Sequence, residues 1–217
     1  MSKLSNHKIK NYWNFYYKKE LKIFTNSNFS RFVLKRLKRN KSLIDIGCGN
    51  GRDAFFFAGN KINTLGLDGS EKIININNFY LKEKKIKNLN FLLHDINSNK
   101  IINRKFNYIY VRFFVHAVTQ KTELSLIKFI KKIKRKNSLV FFEFRNENDN
   151  IFKKGKKIKN NLFVFNKKHY RRKIFTKKFI DTFVKLTNSK LIYKKESNLF
   201  SITKYDKPNL CRLIFKF

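Results

Sequence analysis

Six of the seven glycines in this 217-residue chain (Gly47, Gly49, Gly51, Gly59, Gly66 and Gly69) fall within 23 consecutive positions. Spread evenly, the same window would hold fewer than one. Glycine weakens helices and strands, so such a cluster marks backbone that turns tightly or approaches a ligand closely. The apolar run Ser42-Leu43-Ile44-Asp45-Ile46 precedes it, a helix opening at Arg52–Ala58 follows, and a second apolar run, Ile62–Leu67, closes on Asp68. Strand, glycine loop, helix and strand together make the first half of a doubly wound α/β sheet, which places its ligand at the carboxyl ends of the strands. Apolar periodicity predicts strands at 42–46, 62–67, 89–93, 107–111, 138–144, 190–195 and 210–216, and helices at 52–58, 71–86, 121–135 and 176–187. Alternation with helices makes the first five strands parallel. The last two are joined by a turn at Tyr205–Asn209 that holds the sole proline, Pro208, which makes them antiparallel.

The spacing within the loop narrows the ligand. A dinucleotide site needs G-x-G-x-x-G for a pyrophosphate, and here the sixth position is Arg52; a P-loop would need Gly-Lys-Ser/Thr, which is absent. The segment Asp45-Ile46-Gly47-Cys48-Gly49-Asn50-Gly51 resembles motif I (D-x-G-x-G-x-G) of class I S-adenosylmethionine-dependent methyltransferases. That resemblance implies a Rossmann-like, seven-stranded, mostly parallel sheet with an antiparallel last strand and helices on both faces. It implies S-adenosyl-L-methionine as cofactor, with Asp45, Gly47, Gly49 and Gly51 against its methionine part. An acid at the end of the second strand, Asp68, followed by Gly69, would accept from the ribose hydroxyls, and Ser70 is placed to cap the next helix. Asp95, after the third apolar run, would accept from the adenine amino group, with Ile96 packing on the ring. Phe114 and, from the aromatic arm Tyr12-Trp13-Asn14-Phe15-Tyr16-Tyr17, Tyr16 complete the implied cofactor set.

The chain carries 51 Lys and Arg against 14 Asp and Glu, a net charge of +37. Lys, Asn, Phe, Ile and Tyr make up 125 of the 217 residues, as an AT-rich coding sequence would produce, so drift accounts for much of the excess. Such a charge favours anionic partners without naming one. Cys48 and Cys211 have no metal-type or disulfide-framework spacing, and no metal site is expected. The start, Met1–Asn14, lacks an apolar signal core, and no run long enough to span a membrane occurs. The expectation is a cytoplasmic protein of one domain, 1–217, with an N-terminal aromatic arm and helix (1–40) and a Lys-rich insertion or lid at 145–170.

The acceptor is read from the fourth and fifth strand ends. Neither the Asp/Asn-Pro-Pro-Tyr/Phe motif of nucleic-acid amino methyltransferases nor the Pro-Cys of cytosine-5 enzymes is present. Arg112-Phe113-Phe114-Val115-His116, with Phe142-Glu143-Phe144-Arg145 and His169-Tyr170-Arg171-Arg172, resembles small methyltransferases of surface-polysaccharide biosynthesis and tellurite-resistance-like methyltransferases. Where those usually carry Asp before His-Tyr-Arg-Arg, this chain has Lys168. Arg112, Arg145 and Arg171 are expected to converge on one anionic group, with His169 and Tyr170 beside it and His116 as general base for a hydroxyl acceptor. The reading is methyl transfer to a small or glycan-linked anionic acceptor, through a sugar hydroxyl, a phosphate or a carboxylate. An RNA methyltransferase that exploits the basic surface, and a module that binds the cofactor without catalysis, stand as alternatives.

Overall fold

A computed structural model describes residues 25–165, 169–203 and 206–217. Seven strands form one sheet: β1 (Ser42–Ile46), β2 (Asn63–Asp68), β3 (Leu89–Leu93), β4 (Phe106–Arg112), β5 (Lys134–Arg145), β9 (Lys190–Ser197) and β10 (Leu210–Lys216). Their order is β3-β2-β1-β4-β5-β10-β9. The pairs among the first five strands are parallel, and β10 runs antiparallel to both β5 and β9. The expected fold class is therefore present, with the reversed strand inserted between β5 and β9. Helices α1 (Asn28–Leu34), α2 (Arg52–Gly59), α3 (Glu71–Glu83), α4 (Gln120–Ile133) and α6 (Thr176–Thr187) flank it.

Period two along the strands sorts the core into two layers. Ile44, Ile46, Ile109, Val111, Val140, Phe142 and Phe144 face α4 and α6, whose buried Leu126, Ile127, Ile130, Phe179 and Phe183 recur at three- and four-residue spacing. The alternate residues Leu43, Tyr108, Tyr110 and Phe141 pack with Phe29 and Val33 of α1 and Phe57 of α2. Ser27 caps α1 by accepting from the Ser30 amide at 3.0 Å.

The segment 145–170, the Lys-rich insertion, contains regular structure. It holds a short helix α5 (Ile151–Lys154) and strands β6 (Lys156–Lys159) and β7 (Leu162–Phe165), which with β8 (His169–Arg172) form a three-stranded antiparallel sheet. β6 is exposed throughout, so no alternation of apolar and polar residues marks it as a strand. β5 also begins four residues earlier than its apolar run, through Lys134–Asn137. Ser70 stands at the N-cap position of α3, but its side chain does not cap the helix.

Phe142 is fully buried, with the rings of Phe179, Phe183 and Phe215 against it at 5.2–6.0 Å. Phe142→Ala should cost about 3–5 kcal/mol of folding free energy, the range for a fully buried phenylalanine. Urea denaturation measures it, with Phe79→Ala, on an exposed ring, expected to change stability by less than about 0.5 kcal/mol.

Candidate active site

The carboxyl ends of β1, β2 and β4 meet where the sheet order reverses. The turn after β1 carries three glycines in the left-handed region, Gly47 (φ 74°), Gly49 (φ 53°) and Gly51 (φ 72°). A side chain on Gly47 would lie 2.5 Å from the Phe114 ring, and one on Gly51 2.7 Å from Phe91. These positions thus need glycine for conformation and for space. The amides of Gly47 and Cys48 both donate to the Leu67 carbonyl, at 2.8 and 2.9 Å, locking the turn onto β2. From α3, the fully buried Asn77 donates to the Gly49 carbonyl at 2.8 Å. Its role was not expected, although a polar residue at an apolar position of a helix face (Ile73, Ile74, Asn77) is a visible signal.

Asp68 closes the opposite wall. Its Oδ2 accepts from the Gly49 amide at 3.0 Å and its Oδ1 from the Ser70 amide at 2.9 Å. Burial pushes its carboxyl up, against the pull of the Ser70, Gly49 and Gly69 amides. Asp45 is buried, and its carboxyl is raised well above the usual range by burial and by the neighbouring Asp53 and Asp68 carboxylates. Asp53, on the first turn of α2, has a different fate. Its Oδ1 accepts from the Ser27 amide at 2.7 Å, and its Oδ2 from the Ser27 and Tyr110 hydroxyls, each at 2.8 Å. Burial alone would raise it, but Arg112, the Ser27 amide, Arg52 and the Tyr110 hydroxyl outweigh that and hold it below the ordinary value.

The other expected cofactor contacts are placed less distinctively. Asp95 is exposed beyond β3, and its Oδ1 accepts from the Asn97 amide at 2.8 Å in a local turn. Ile96 packs partly against the main core, as does Phe114. Tyr16 lies outside the described residues.

Beyond β4 and β5 the residues expected to hold an acceptor gather, in an arrangement that differs from the expectation. Register sets Glu143 opposite both Arg112 and Arg212. The buried Glu143 carboxylate accepts from Arg112 Nε at 2.9 Å through Oε1 and from Arg212 Nε at 2.7 Å through Oε2. Arg145 pairs through Nη1 with Asp149 at 2.8 Å and through Nη2 with Asp206. Arg112 and Arg145 therefore do not converge on one open anion position, because each guanidinium has carboxylate partners within the chain. Sequence reasoning passed over Glu143 as a site residue, although it is the one acid in the apolar end of β5.

His116 follows β4 on a 3-10 turn (Val115–Ala117) and is completely buried. Its Nδ1 accepts from the Arg145 amide at 3.2 Å. A neutral imidazole accepting at Nδ1 carries its proton on Nε2, so the ring presents a donor. Burial, Arg171, Arg145, His169 and Arg112 push its pKa well below the ordinary histidine value. Burial, Arg171 and Arg145 likewise push His169 down to about 3. The nitrogen able to accept is occupied by the Arg145 amide and the ring resists protonation, which counts against His116 as a general base. β8 brings Arg171 and His169 beside His116; Tyr170 lies between them on that strand, half-buried. Phe113, a bulky residue at φ 56°, turns the chain between Arg112 and His116, with the Arg112 guanidinium 4.0 Å above its ring.

The sequence matches the methyltransferase-domain family model over residues 37–199. The chain belongs to that family. It is a methyltransferase, and its glycine turn and Asp68 wall fit S-adenosylmethionine as the methyl donor. No curated protein matches the sequence significantly. Among solved structures, a SAM-dependent methyltransferase from Methanosarcina mazei superposes with a TM-score of 0.71 at 15% identity, covering 85% of this chain and 96% of that one. An S-adenosylmethionine-dependent methyltransferase from Clostridium acetobutylicum gives 0.66 at 16% identity, covering 95% and 98%. A TehB-like SAM-dependent methyltransferase from Corynebacterium glutamicum gives 0.63 at 13% identity, covering 87% and 86%. Among the described residues, no cluster of side chains could hold a metal ion, and no helix is long and apolar enough to cross a membrane. Cys48 and Cys211 are free and buried.

Two outcomes follow for the methyltransferase. Removing the Glu143 carboxylate strands the buried Arg212 and the partly buried Arg112 guanidinium, so Glu143→Ala should destabilise the fold by about 3–5 kcal/mol in urea titration. The Asp45 carboxyl is raised in the folded state, so its burial weakens the fold as pH rises from the unfolded value through the folded one. Asp45→Asn should therefore raise the thermal midpoint of the unliganded protein at pH 7.5, and the gain should shrink towards pH 4.

Proposed function

We propose that this methyltransferase transfers the methyl group of S-adenosylmethionine to an oxyanion, a phosphate or a carboxylate, on a small or glycan-linked acceptor. The carrying observation is the gathering of Arg171, Arg145 and His169 around the buried, neutral His116 ring. A cationic wall with no strong proton acceptor suits an oxygen that is already ionised. A sugar hydroxyl would need a base, and neither histidine is disposed to serve as one. The likeness of Arg112–His116 and His169–Arg172 to methyltransferases of surface-polysaccharide biosynthesis supports a glycan-linked carrier.

The cofactor supplies an activated methyl group on a sulfonium, so the protein's tasks are orientation and exclusion of water. Gly47, Gly49 and Gly51 leave room for close backbone approach, and Asp68 would receive the ribose hydroxyls. Asp95 and Ile96 would border the adenine end, with Phe114 beside the glycine turn. Arg171 and His169 orient the acceptor oxyanion, and His116 Nε2–H donates towards it. The sheet β6–β8, which carries both groups, acts as a lid on this side.

The test pairs calorimetric titration with S-adenosylhomocysteine and methyl transfer to matched phosphorylated, carboxylated and neutral sugars. Methylation should be confined to the anionic members. Arg171→Gln should raise the acceptor KM by about tenfold or more, the loss of one charge-assisted contact, with S-adenosylhomocysteine affinity unchanged. Because His169 is held near 3 and His116 well below its ordinary value, kcat/KM with a carboxylate acceptor should be flat from about pH 5.5 to 8. A rise centred near pH 6.5 that disappears in His116→Asn would overturn the base-free reading.

A further inference from the structure

Arg145 is buried, with 6% of its side chain exposed, yet it faces two carboxylates of unlike character. Asp149, four residues on, is 2% exposed, and its Oδ1 accepts from the Ile151 amide at 2.8 Å at the start of α5. It is part of the fold. Asp206 belongs to the connection between β9 and β10, and its side chain is 45% exposed. Within that connection the Asp206 amide donates to Thr203 Oγ1 at 3.0 Å, and the Thr203 amide to the Asp206 carbonyl at 2.9 Å. These two bonds to Thr203 hold the Asp206 backbone, while its side chain reaches inward from the surface.

The contact closes the Arg145 fork. Nη1 serves Asp149, and Nη2 and Nη1 both serve Asp206. The guanidinium stands beside His116 and His169, in the cluster that receives the acceptor. An incoming oxyanion can reach that fork only where a carboxylate already sits, and of the two carboxylates only the one with solvent access can leave without unfolding its surroundings.

We propose that Asp206 is a resident mimic of the acceptor's anionic group, seated on Arg145, and that acceptor binding displaces it. The inference rests on the anionic-acceptor reading above and adds to it the position of the second anion contact and the residue that guards it. Exchange of one carboxylate for another oxyanion leaves the buried Arg145 charge compensated in both states, so the site avoids an unpaired guanidinium during the cycle. It also sets a threshold. A neutral ligand gains nothing from Arg145 and cannot eject Asp206, so the contact discriminates against uncharged analogues.

The experiment titrates inorganic phosphate into full-length protein saturated with S-adenosylhomocysteine, at constant ionic strength of about 0.15 M so that diffuse attraction to the basic surface is screened. The Arg145 side-chain Nε–H resonance reports on the site itself. Asp206→Asn, an exposed and nearly isosteric change, should bind phosphate about tenfold more tightly than wild type, as expected if the competent fork is open about a tenth of the time. In wild type the Asp206 carboxyl carbon should shift in step with the Arg145 resonance. Thermal midpoints of the two proteins should agree within a few degrees, which separates the effect from misfolding. If phosphate perturbs Arg145 in wild type with unchanged affinity in Asp206→Asn, the site binds anions and the mimic is refuted. If phosphate leaves Arg145 unperturbed in both proteins, the mimic falls together with the anionic reading on which it rests.

Discussion

The Glu143 carboxylate is the point on which the basic side of the sheet turns. It is buried at the centre of three strands, and register alone brings Arg112 from β4 and Arg212 from β10 to its two oxygens. Two guanidiniums on one carboxylate leave a positive remainder in a place with little water, where unlike charges attract strongly and like charges are costly. That remainder reaches further than the triad. Arg112 lowers Asp53, helps keep His116 neutral and lies over the Phe113 ring at 4.0 Å. On the far side, Arg212 rests against Phe200 at 3.9 Å, which ties the β9–β10 connection carrying Asp206 to the same centre.

The cofactor side is organised by the opposite excess. Asp45 feels both the Asp53 and the Asp68 carboxylates, and the three groups are held in different ways. Asp53 takes a hydroxyl pair, an amide and neighbouring arginines; Asp68 takes backbone amides; Asp45 is pushed well up by burial and its two neighbours. The boundary between the acidic and basic halves falls between β1 and β4, where the sheet order reverses and an open α/β sheet places its ligand.

Much of this was legible in the chain. The glycine cluster and the alternation of apolar runs gave the seven strands of the main sheet and four of its helices to within a few residues, because burial on both faces of a parallel sheet writes long apolar stretches into sequence. Asp68 was readable from its place after β2. The acceptor side was readable in membership but not in pairing. Arg145 was picked out, yet its partners Asp149 and Asp206, four and 61 positions away, share no local pattern with it. The tautomer of His116 hangs on one backbone amide, which no spacing encodes. β6 was missed because all four of its residues face solvent, and period two has meaning only where one side is buried.

The excess of positive charge also separates into two parts once burial is known. Lysine outnumbers arginine by 40 to 11 in the chain. Yet among the described residues the buried basic side chains are Arg145, Arg172 and Arg212, and none is lysine. Each has a carboxylate partner: Asp149 and Asp206, Glu123, and Glu143 respectively. A lysine ammonium is a compact, strongly hydrated charge that gives up water reluctantly, whereas a guanidinium is weakly hydrated and presents several fixed donors to a carboxylate. Drift towards lysine is tolerated where water remains on the side chain and resisted where it does not. The +37 is thus mainly a property of the surface, and the chemistry of the site rests on a few arginines that the same drift has not replaced.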